Sequence, residues 1–316
     1  MTIQINFMDI VICFKNKSED SWLNALRKAL PDIGVYKDGN VPDRSKVGVA
    51  LCWYPQKDLL LDYPNLKLIQ SVGAGVDHLL DLDPMSSAVK IARIVDPALS
   101  RDMFEFSLAV VLAQMKNLST YLGDKGSKHW NPIGYQRINQ VTIAVLGLGK
   151  IGSELASSFA ELGFKVNGFA NSPKQLNKVS CFSGEEGLER AVSTADYIIN
   201  ILPLTTSTEG FYNTAFFDKC KQGAFFINVG RGGHLMEQDL LQALESEKLS
   251  GAYLDVFRKE PLPKEHPFWA YQGIQISPHV AAVTNSKTAL TQIVDNYRRT
   301  MNNEALLNEV SIVKGY

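Results

Sequence analysis

Val141-Thr-Ile-Ala-Val-Leu-Gly-Leu-Gly-Lys-Ile-Gly152 is an apolar, β-branched run that passes directly into a turn with three closely spaced glycines. Residues 153–162 continue with apolar side chains at helical spacing, so the stretch predicts a strand, a tight turn and a helix. In such a unit Gly147 permits the turn, Gly149 lets a pyrophosphate approach the backbone, and Gly152 lets the helix pack on the strand. A glycine-rich turn without a ligand is the alternative, and the strand-to-helix context favours a dinucleotide site.

The chain has 316 residues, 45% of them apolar and 21% charged, which predicts two globular domains. A formal net charge of -1 gives no electrostatic reason to expect nucleic acid or a membrane surface as partner. The four cysteines lack C-x-x-C spacing, so we expect neither a bound metal nor a disulfide framework. The sequence shows no signal peptide and no apolar run of membrane-spanning length, so we expect a soluble, cytoplasmic protein.

The first hundred residues alternate predicted strands and helices. A β-rich run covers Ile3 to Cys13, and Ser18 is a candidate cap for a helix that ends before Pro31. Val47–Cys52 and Leu66–Gln70 are short apolar segments that predict buried strands. This alternation is typical of an α/β domain.

The second half repeats the pattern more regularly. Segments of crossover length separate six predicted strands, which indicates a doubly wound parallel sheet. The six predicted strands are Val141–Leu146, Phe164–Ala170, Tyr197–Leu202, Ala224–Val229, Gly251–Val256 and Ile274–Ser277.

Two long helical patterns connect these regions. Asp102 to Tyr121 predicts a helix that links the domains, with its apolar stripe packed between them, and Ala281 to Asn303 predicts a helix that returns to the first domain. The predicted fold is therefore two Rossmann-like, doubly wound parallel-sheet α/β domains with a cleft between them. The substrate domain is discontinuous, 1–103 and 285–316, and the NAD(P)-binding domain is 104–284.

The end of the second strand in the nucleotide domain bears on the choice of coenzyme. NAD-binding units place a carboxylate here for the ribose hydroxyls, whereas this strand continues into Ala170-Asn-Ser-Pro-Lys174. Asn171 and Ser172 leave room and hydrogen bonds for a 2′-phosphate, and Lys174 supplies charge, although no arginine is present. We therefore expect NADP(H) rather than NAD(H), the alternative being that Lys174 is a solvated turn residue.

Three polar residues follow strand ends in the second half, namely Arg231, Glu260 and His279. A hydride that reaches a ketone carbon creates an alkoxide, so the reaction needs a proton donor and a cation that holds the substrate. His279 is the candidate donor, and a carboxylate such as Glu260 beside it would raise its pKa. Arg231 can bind a carboxylate with two hydrogen bonds. Each residue alone is more often structural, but together with the glycine turn they favour a catalytic site.

Further candidates follow other strand ends. Gly73, Ala74 and Gly75 expose backbone N–H groups suited to a small carboxylate, although a plain tight turn explains them equally well. Asp255 is a candidate to hold a nicotinamide carboxamide, and Leu202–Thr205 to line the ring. The predicted substrate-binding residues are Trp53, Gly73, Ala74, Gly75 and Arg231. The predicted cofactor-binding residues are Gly147, Leu148, Gly149, Lys150, Ile151, Gly152, Asn171, Ser172, Lys174, Leu202, Pro203, Thr208, Val229, Gly230, Asp255 and His279.

In this order along the chain, the glycine turn and five further motifs resemble the D-isomer-specific 2-hydroxyacid dehydrogenase family. These motifs are Leu202-Pro-Leu-Thr205, Asn228-Val-Gly-Arg-Gly232, Asp255-Val-Phe257, Glu260-Pro-Leu-Pro263 and Ser277-Pro-His-Val280. The resemblance implies that Arg231 binds substrate, that Glu260 is the partner of the acid/base His279, and that a split substrate domain closes over the cofactor domain.

Within that family, the Trp53 segment, Leu66–Asp77 and His266-Pro-Phe-Trp269 resemble the glyoxylate/hydroxypyruvate reductase A branch. That branch usually prefers NADPH and carries an arginine-bearing Ser-Arg-Ser type of motif, which this sequence replaces with Asn171–Lys174. The resemblance also implies a homodimer formed through the nucleotide domain, with the predicted loop Gly123–Arg137, which contains Trp130, as candidate contact.

The predicted function is reduction of a small 2-oxo acid, such as glyoxylate or hydroxypyruvate, to glycolate or the D-2-hydroxy acid. One alternative is a nucleotide-sensing interaction protein, as the family's corepressor relatives suggest, but the complete set of Arg231, Glu260 and His279 argues against it. Another is a dehydrogenase for a different oxo acid, such as pyruvate or phosphohydroxypyruvate.

Overall fold

The computed structural model describes residues 7–15, 17–80, 82 and 89–312. The chain divides into two compact units, the first made of Met1–Asp96 and Thr284–Tyr316 and the second of Pro97–Val283. The first boundary precedes the predicted one at residue 103, because the helix that begins at Pro97 packs within the second unit.

The first unit contains a five-stranded parallel sheet in the order β2-β1-β3-β4-β5. Its central strands are buried on both faces, as expected of continuous apolar runs in parallel sheets. The long C-terminal helix, Ser286–Met301, packs its buried face on one side of this sheet. The other elements are β1 (Asp9–Phe14), α1 (Asp20–Ala29), β2 (Val35–Lys37), β3 (Val47–Trp53), α2 (Leu59–Asp62), β4 (Leu68–Ser71), α3 (Asp77–Leu80) and β5 (Lys90–Ala92).

Several predicted boundaries in this unit differ from the observed ones. The first strand begins at Asp9, and the first residues of the predicted run, 3–6, lie outside the described residues. Ser18 is not the helix cap: Glu19 holds that position, and Ser18 Oγ accepts only a 3.4 Å hydrogen bond from the Asp20 amide. The strands β2 and β5 were not predicted, because three residues are too few to show an alternating pattern.

The second unit contains a seven-stranded parallel sheet in the order β12-β11-β10-β9-β6-β7-β8. Its strands are β6 (Thr142–Leu146), β7 (Lys165–Phe169), β8 (Val179–Phe182), β9 (Tyr197–Asn200), β10 (Ala224–Asn228), β11 (Leu249–Leu254) and β12 (Ile274–Ile276). Its helices are α4 (Pro97–Met115), α5 (Leu118–Ser127), α6 (Lys150–Glu161), α7 (Gly184–Val192), α8 (Thr214–Lys219) and α9 (Glu237–Glu245). The prediction of six strands missed β8, a short edge strand that is only partly buried.

The predicted linking helix is two helices. The chain leaves α4 and enters α5 through Asn117, whose φ is 55°, a left-handed conformation that ends regular helix. The apolar stripe of α4, predicted to pack between domains, packs within the second unit. Phe104, for example, packs edge to face on Phe159 of α6, with ring centroids 5.3 Å apart. The first part of the predicted loop from Gly123 belongs to α5.

The predicted class of two parallel-sheet α/β domains is confirmed. In the second sheet the chain winds outward from β6 in both directions, so β6 and β9 flank a topological switch point. Ligands of such sheets bind beyond the carboxyl ends of the strands at this point. Among the described residues, no helix has the length and apolar character needed to cross a membrane.

Candidate active site

The glycine turn after β6 has the geometry that a pyrophosphate requires. Gly147 has φ +114°, and a Cβ added there would lie 2.8 Å from the Ile201 carbonyl oxygen. A Cβ on Gly152 would lie 1.7 Å from the Gly147 carbonyl oxygen, whereas Gly149 faces open space. Gly149 caps α6 without any side-chain hydrogen bond, which leaves the first-turn N–H groups available to an anion. The residues present therefore fit a dinucleotide.

The end of β7 carries no carboxylate, as predicted. Asn171, Ser172 and Lys174 are all exposed after the buried Ala170. Asn171 also borders a cavity of about 570 Å³ whose aromatic walls suit a purine ring. The cavity is lined by Phe169, Asn171, Gly184, Glu185, Leu188, Ser207, Glu209, Gly210, Phe211, Asn213, Ala215, Phe216 and Lys219.

The loop after β9 is stabilised by its own threonine. Thr208 is buried, and its hydroxyl donates a 2.7 Å hydrogen bond to the carbonyl of Pro203 while accepting one of 2.8 Å from the Thr205 amide. These bonds close the turn that carries Leu202 and Pro203. The observed role of Thr208 is therefore to shape the loop predicted to line the nicotinamide ring.

Glu260 and His279 are brought together in the second unit. His279 Nδ1 lies 2.7 Å from Glu260 Oε2, and the Phe257 amide donates to Oε1 at 3.0 Å. Burial raises the pKa of Glu260, but the hydrogen bonds from His279 and Phe257 and the charges of His279 and Arg231 hold this pKa below its usual range. An ionised carboxylate only accepts, so Nδ1 carries a proton. The other ring nitrogen, Nε2, is then the atom able to exchange a proton with a substrate.

Asp255 holds the loop that carries His279. The backbone of His279 has φ +55°, an uncommon conformation for a residue with a side chain. The Asp255 carbonyl accepts the His279 amide at 2.8 Å, and its buried carboxylate accepts the Val280 and Ala281 amides, each at 2.9 Å. The Ser277 hydroxyl also donates to this carboxylate, at 2.5 Å. Asp255, predicted to contact a carboxamide, thus serves to fix the position of His279.

Arg231 follows β10 at the start of a short 3₁₀ turn, Gly232–His234. Its Nη1 donates to the carbonyl of Gly230 at 2.8 Å, and its side chain is half-buried. Its charge contributes to the low pKa of Glu260, so the two groups are electrostatically linked. The structure therefore assembles all three predicted catalytic residues on the second unit.

Sequence reasoning missed three buried polar residues beside Arg231, namely Asn200, Asn228 and His234, each with no exposed surface. Their side chains are joined by hydrogen bonds of 2.8 and 2.9 Å. A signal was present: two neighbouring apolar strands both end in asparagine, and β9 and β10 pair these asparagines in register. Polar side chains at the ends of neighbouring buried strands are expected to hydrogen-bond to each other, because buried polar groups require partners.

The predicted substrate residues of the first unit also lie together. A Cβ on Gly73 would lie 2.9 Å from the Trp53 ring, and Trp53 packs against Tyr54 with centroids 5.3 Å apart. The Gly73 amide is not available to a ligand, because it donates to Ser71 Oγ at 3.1 Å. The Ala74 and Gly75 amides have no hydrogen-bond acceptor within the described ranges. The predicted helix after this turn is the single turn α3.

Metal chemistry and disulfides have no structural counterpart in the described residues. No three His, Cys, Asp or Glu side chains there are grouped closely enough to hold a metal ion. All four cysteines are free thiols.

Comparison with known proteins decides the family. Residues 108–281 match the family model described as D-isomer specific 2-hydroxyacid dehydrogenase, NAD binding domain. The chain belongs to the D-isomer specific 2-hydroxyacid dehydrogenase family. Curated relatives of this dehydrogenase include the glyoxylate/hydroxypyruvate reductases A of Yersinia enterocolitica and Serratia proteamaculans. Each is 33% identical to it, over 98% of this chain and 100% of the relative. The predicted family and branch are confirmed.

Solved structures agree with this assignment. The dehydrogenase superposes with a TM-score of 0.92 on a D-isomer specific 2-hydroxyacid dehydrogenase from Xanthobacter autotrophicus Py2 in complex with NADPH and MES, at 34% identity. It superposes with a TM-score of 0.91 on an NADPH-dependent glyoxylate/hydroxypyruvate reductase from Sinorhizobium meliloti in complex with NADP and sulfate, at 31% identity. Each comparison covers 98% of this chain and 100% of the solved one.

Proposed function

We propose that this dehydrogenase uses NADPH to reduce a small 2-oxo acid of the glyoxylate or hydroxypyruvate type to glycolate or the D-2-hydroxy acid. The observation that carries the proposal is the 2.7 Å pair of His279 and Glu260, with the Arg231 charge acting on the same carboxylate. A proton donor, a group that fixes its tautomer and a cation are what carbonyl reduction requires.

Substrate binding begins with the carboxylate of the oxo acid. The Arg231 guanidinium binds this group through charge-assisted hydrogen bonds and polarises the neighbouring carbonyl. From the first unit, Trp53 and the amides of Ala74 and Gly75 contribute to substrate recognition. This unit is therefore the substrate domain of the proposed enzyme, and the second unit is the NADP-binding domain.

The proton comes from His279. When bound, the nicotinamide supplies the hydride that reduces the carbonyl carbon. His279 Nε2 donates its proton to the oxygen that gains negative charge. The proton on Nδ1 stays on the ring and is hydrogen-bonded to Glu260. Glu260 remains ionised throughout, because its low pKa keeps it charged while it holds the imidazole ring.

NADPH is the proposed coenzyme because residues 170–174, which follow β7, contain no carboxylate that would repel a 2′-phosphate. Asn171 and Ser172 offer hydrogen bonds there, and Lys174 offers a positive charge. The solved relatives from Xanthobacter and Sinorhizobium that hold NADPH or NADP support this choice.

The test of the proposed function is a panel of 2-oxo acids assayed by loss of NADPH absorbance, run in parallel with NADH. We expect turnover of glyoxylate and hydroxypyruvate, with kcat/KM higher for NADPH than for NADH. Higher kcat/KM for pyruvate or phosphohydroxypyruvate than for these two acids would reassign the substrate. Tight NADPH binding without turnover of any oxo acid would instead favour a nucleotide-sensing interaction protein.

A homodimer is the proposed assembly. α5 and the segment after it expose four large apolar side chains, and isolated monomers rarely keep such surfaces. They are Leu118 at 52%, Leu122 at 73%, Trp130 at 94% and Tyr135 at 63% exposure. Light scattering should give twice the 35.0 kDa chain mass, and the double variant Leu122→Lys, Trp130→Ser should have the mass of the monomer.

The proposed location is the cytoplasm, and the free cysteines support it.

A further inference from the structure

A buried network of three side chains lies at the carboxyl ends of β9 and β10. Asn200 and Asn228 are register partners in adjacent strands, and His234 reaches them from the 3₁₀ turn. Asn200 Nδ2 donates to Asn228 Oδ1 at 2.8 Å, and it lies 2.9 Å from His234 Nδ1. All three residues have no exposed surface. None of them binds the substrate or donates a proton in the proposed reaction.

The remaining polar atoms of the network hold the loop after β9. Asn200 Oδ1 accepts the amide of Leu202 at 2.9 Å. His234 Nε2 lies 3.1 Å from the carbonyl of Pro203, which can only accept a hydrogen bond. Asn200 and His234 therefore hold in place the loop that is proposed to line the cofactor.

The same network holds the loop after β10. Asn228 Oδ1 accepts the Gly230 amide at 3.2 Å, and Asn228 Nδ2 donates to the carbonyl of Arg231 at 3.1 Å. Gly230 packs so closely that an added Cβ would lie 2.9 Å from Asn200 Nδ2. The backbone of Arg231 is thus tied to the cofactor loop by two routes. One runs through Asn228 and Asn200 to Leu202. The other runs through His234, whose amide donates to the Arg231 carbonyl at 3.3 Å and whose ring reaches Pro203.

The hydrogen-bond chemistry fixes the protonation of His234. Asn200 Nδ2 is a donor, so His234 Nδ1 accepts, and the proton resides on Nε2, which donates to Pro203. A buried network in which each side chain has directed partners is stiff, because any shift leaves a polar group unsatisfied. Displacement of one loop therefore strains the other.

We infer that His234 is a positioning residue that couples cofactor binding to substrate binding, by linking the Pro203 loop to Arg231. It acts through these loops and does not touch the reacting atoms. The inference rests on the proposed function, since it takes Arg231 as the substrate-binding residue. Coupling of this kind is reciprocal: NADPH raises the affinity for the oxo acid by the same factor as the acid raises the affinity for NADPH.

Three substitutions dissect the link. His234→Leu removes the hydrogen bonds of the ring to Asn200 and Pro203 at similar volume. His234→Asn keeps an acceptor near the position of Nδ1 for Asn200 and loses the bond to Pro203. His234→Gln places a donor near the position of Nε2 for Pro203 and loses the bond to Asn200. Each polar variant loses one bond of the His234 ring and should weaken the coupling, and the leucine variant, which loses the bonds to both Asn200 and Pro203, should weaken it most.

The experiment measures the affinity of oxalate, a nonreactive analogue of a 2-oxo acid, with and without saturating NADPH. In the wild type, NADPH should raise oxalate affinity by about fivefold or more. In His234→Leu this factor should fall toward one, and the KM for the oxo acid should rise by more than kcat falls. If the leucine variant fails to fold, the asparagine and glutamine variants give the same comparison.

Asn296 of the first unit provides the matched control. It is equally buried, and its side chain makes three hydrogen bonds of 2.7 to 3.0 Å, to Gln70 and Leu307. Asn296→Leu should lower the thermal midpoint like His234→Leu and leave the NADPH–oxalate coupling unchanged.

Three results would overturn the inference. They are absence of coupling in the wild type, an unchanged coupling factor in His234→Leu, and equal loss of coupling in His234→Leu and Asn296→Leu. Failure of the proposed function would be seen in a different measurement. In that case the wild-type protein would turn over no 2-oxo acid, and this result does not depend on the coupling measured in the variants.

Discussion

Both units are parallel α/β sheets with buried strands, but the residues that follow those strands differ. In the second unit the strand ends carry Asn200, Asn228 and Asp255, whose side chains hold loops in place with hydrogen bonds. In the first unit the strand ends carry Trp53 and a glycine turn, which offer an aromatic surface and backbone amides. The same architecture thus positions ionisable groups in one unit and shapes a surface in the other. We expect chemistry to depend on the second unit and selectivity on the first.

The largest expected effect tests the chemistry of the second unit. His279→Gln removes the proton donor, so kcat should fall by about a thousandfold, within the range of general acid catalysis. NADPH affinity, measured by fluorescence titration, should hardly change. His266→Gln is the matched control, because His266 also pairs with a glutamate, Glu237, at 3.3 Å in the same unit. Unchanged turnover in His279→Gln would remove His279 from the mechanism.

Arg231→Lys should mainly affect substrate binding. Lysine keeps the charge but loses the paired hydrogen bonds to a carboxylate, so the KM for the oxo acid should rise about ten- to a hundredfold. Arg258→Lys controls for loss of a guanidinium in this unit, since Arg258 bonds the Leu235 carbonyl at 2.9 Å. Equal KM values in both variants would argue against a carboxylate contact at Arg231.

The next prediction concerns the residues after β7 and their effect on the preference for NADPH over NADH. Asn171→Asp introduces the carboxylate that NAD-binding units carry, so kcat/KM for NADPH should fall by about tenfold relative to NADH. Gln175→Glu adds the same charge at an exposed position farther along the loop and should change this ratio less. If the wild type prefers NADH, or if Asn171→Asp leaves the ratio unchanged, the proposed basis of coenzyme choice is wrong.

Gly73→Ala tests the surface of the first unit. The added Cβ would lie 2.9 Å from the Trp53 ring, so the ring must shift, at a cost of about 1–3 kcal/mol in unfolding free energy. We expect a several-fold change in relative kcat/KM among oxo acids of different size, with kcat little changed. Gly134→Ala, where nothing lies within 4 Å, is the control. A uniform loss of kcat for all acids would contradict a role in selectivity.

The smallest effect concerns the pH dependence of stability. The pKa of Glu260 is lowered in the folded protein from an ordinary value of 4.5. Its ionisation therefore stabilises the fold above that pH, and this contribution is lost as the pH falls through the folded-state pKa. The difference in thermal midpoint between wild type and Glu260→Gln should be constant near neutral pH and shrink below pH 4.5. A difference that is the same at every pH would contradict this account.

Features that depend on a local sequence pattern could be predicted from the sequence alone. The turn at Gly147 and the proximity of Glu260 to His279 could be predicted because the strand ends of a parallel sheet meet at one edge. The break at Asn117 could not, since one left-handed residue does not disturb the apolar periodicity on either side. The strand β8 lies at the sheet edge, where partial burial leaves no clear pattern.

The supporting residues were harder to predict than the candidate catalytic ones. The hydrogen bonds that the Asp255 carboxylate accepts from the loop of His279 were not predicted, because they depend on how two neighbouring loops fold. His234 was not singled out from the sequence, and its partners become evident only from the register of β9 and β10. Residues that contact a ligand can be predicted from the residue types that the reaction requires. Residues that position them can be recognised only from their contacts in the folded structure.

The most direct test of the central claim is the chirality of the product formed from hydroxypyruvate and NADPH by the wild-type enzyme. Chromatography on a chiral phase, combined with NADPH oxidation, reports both the reaction and its face selectivity. We expect D-glycerate in amounts equal to the NADPH consumed. Formation of L-glycerate, or consumption of NADPH without glycerate, would contradict the proposed roles of Arg231 and His279.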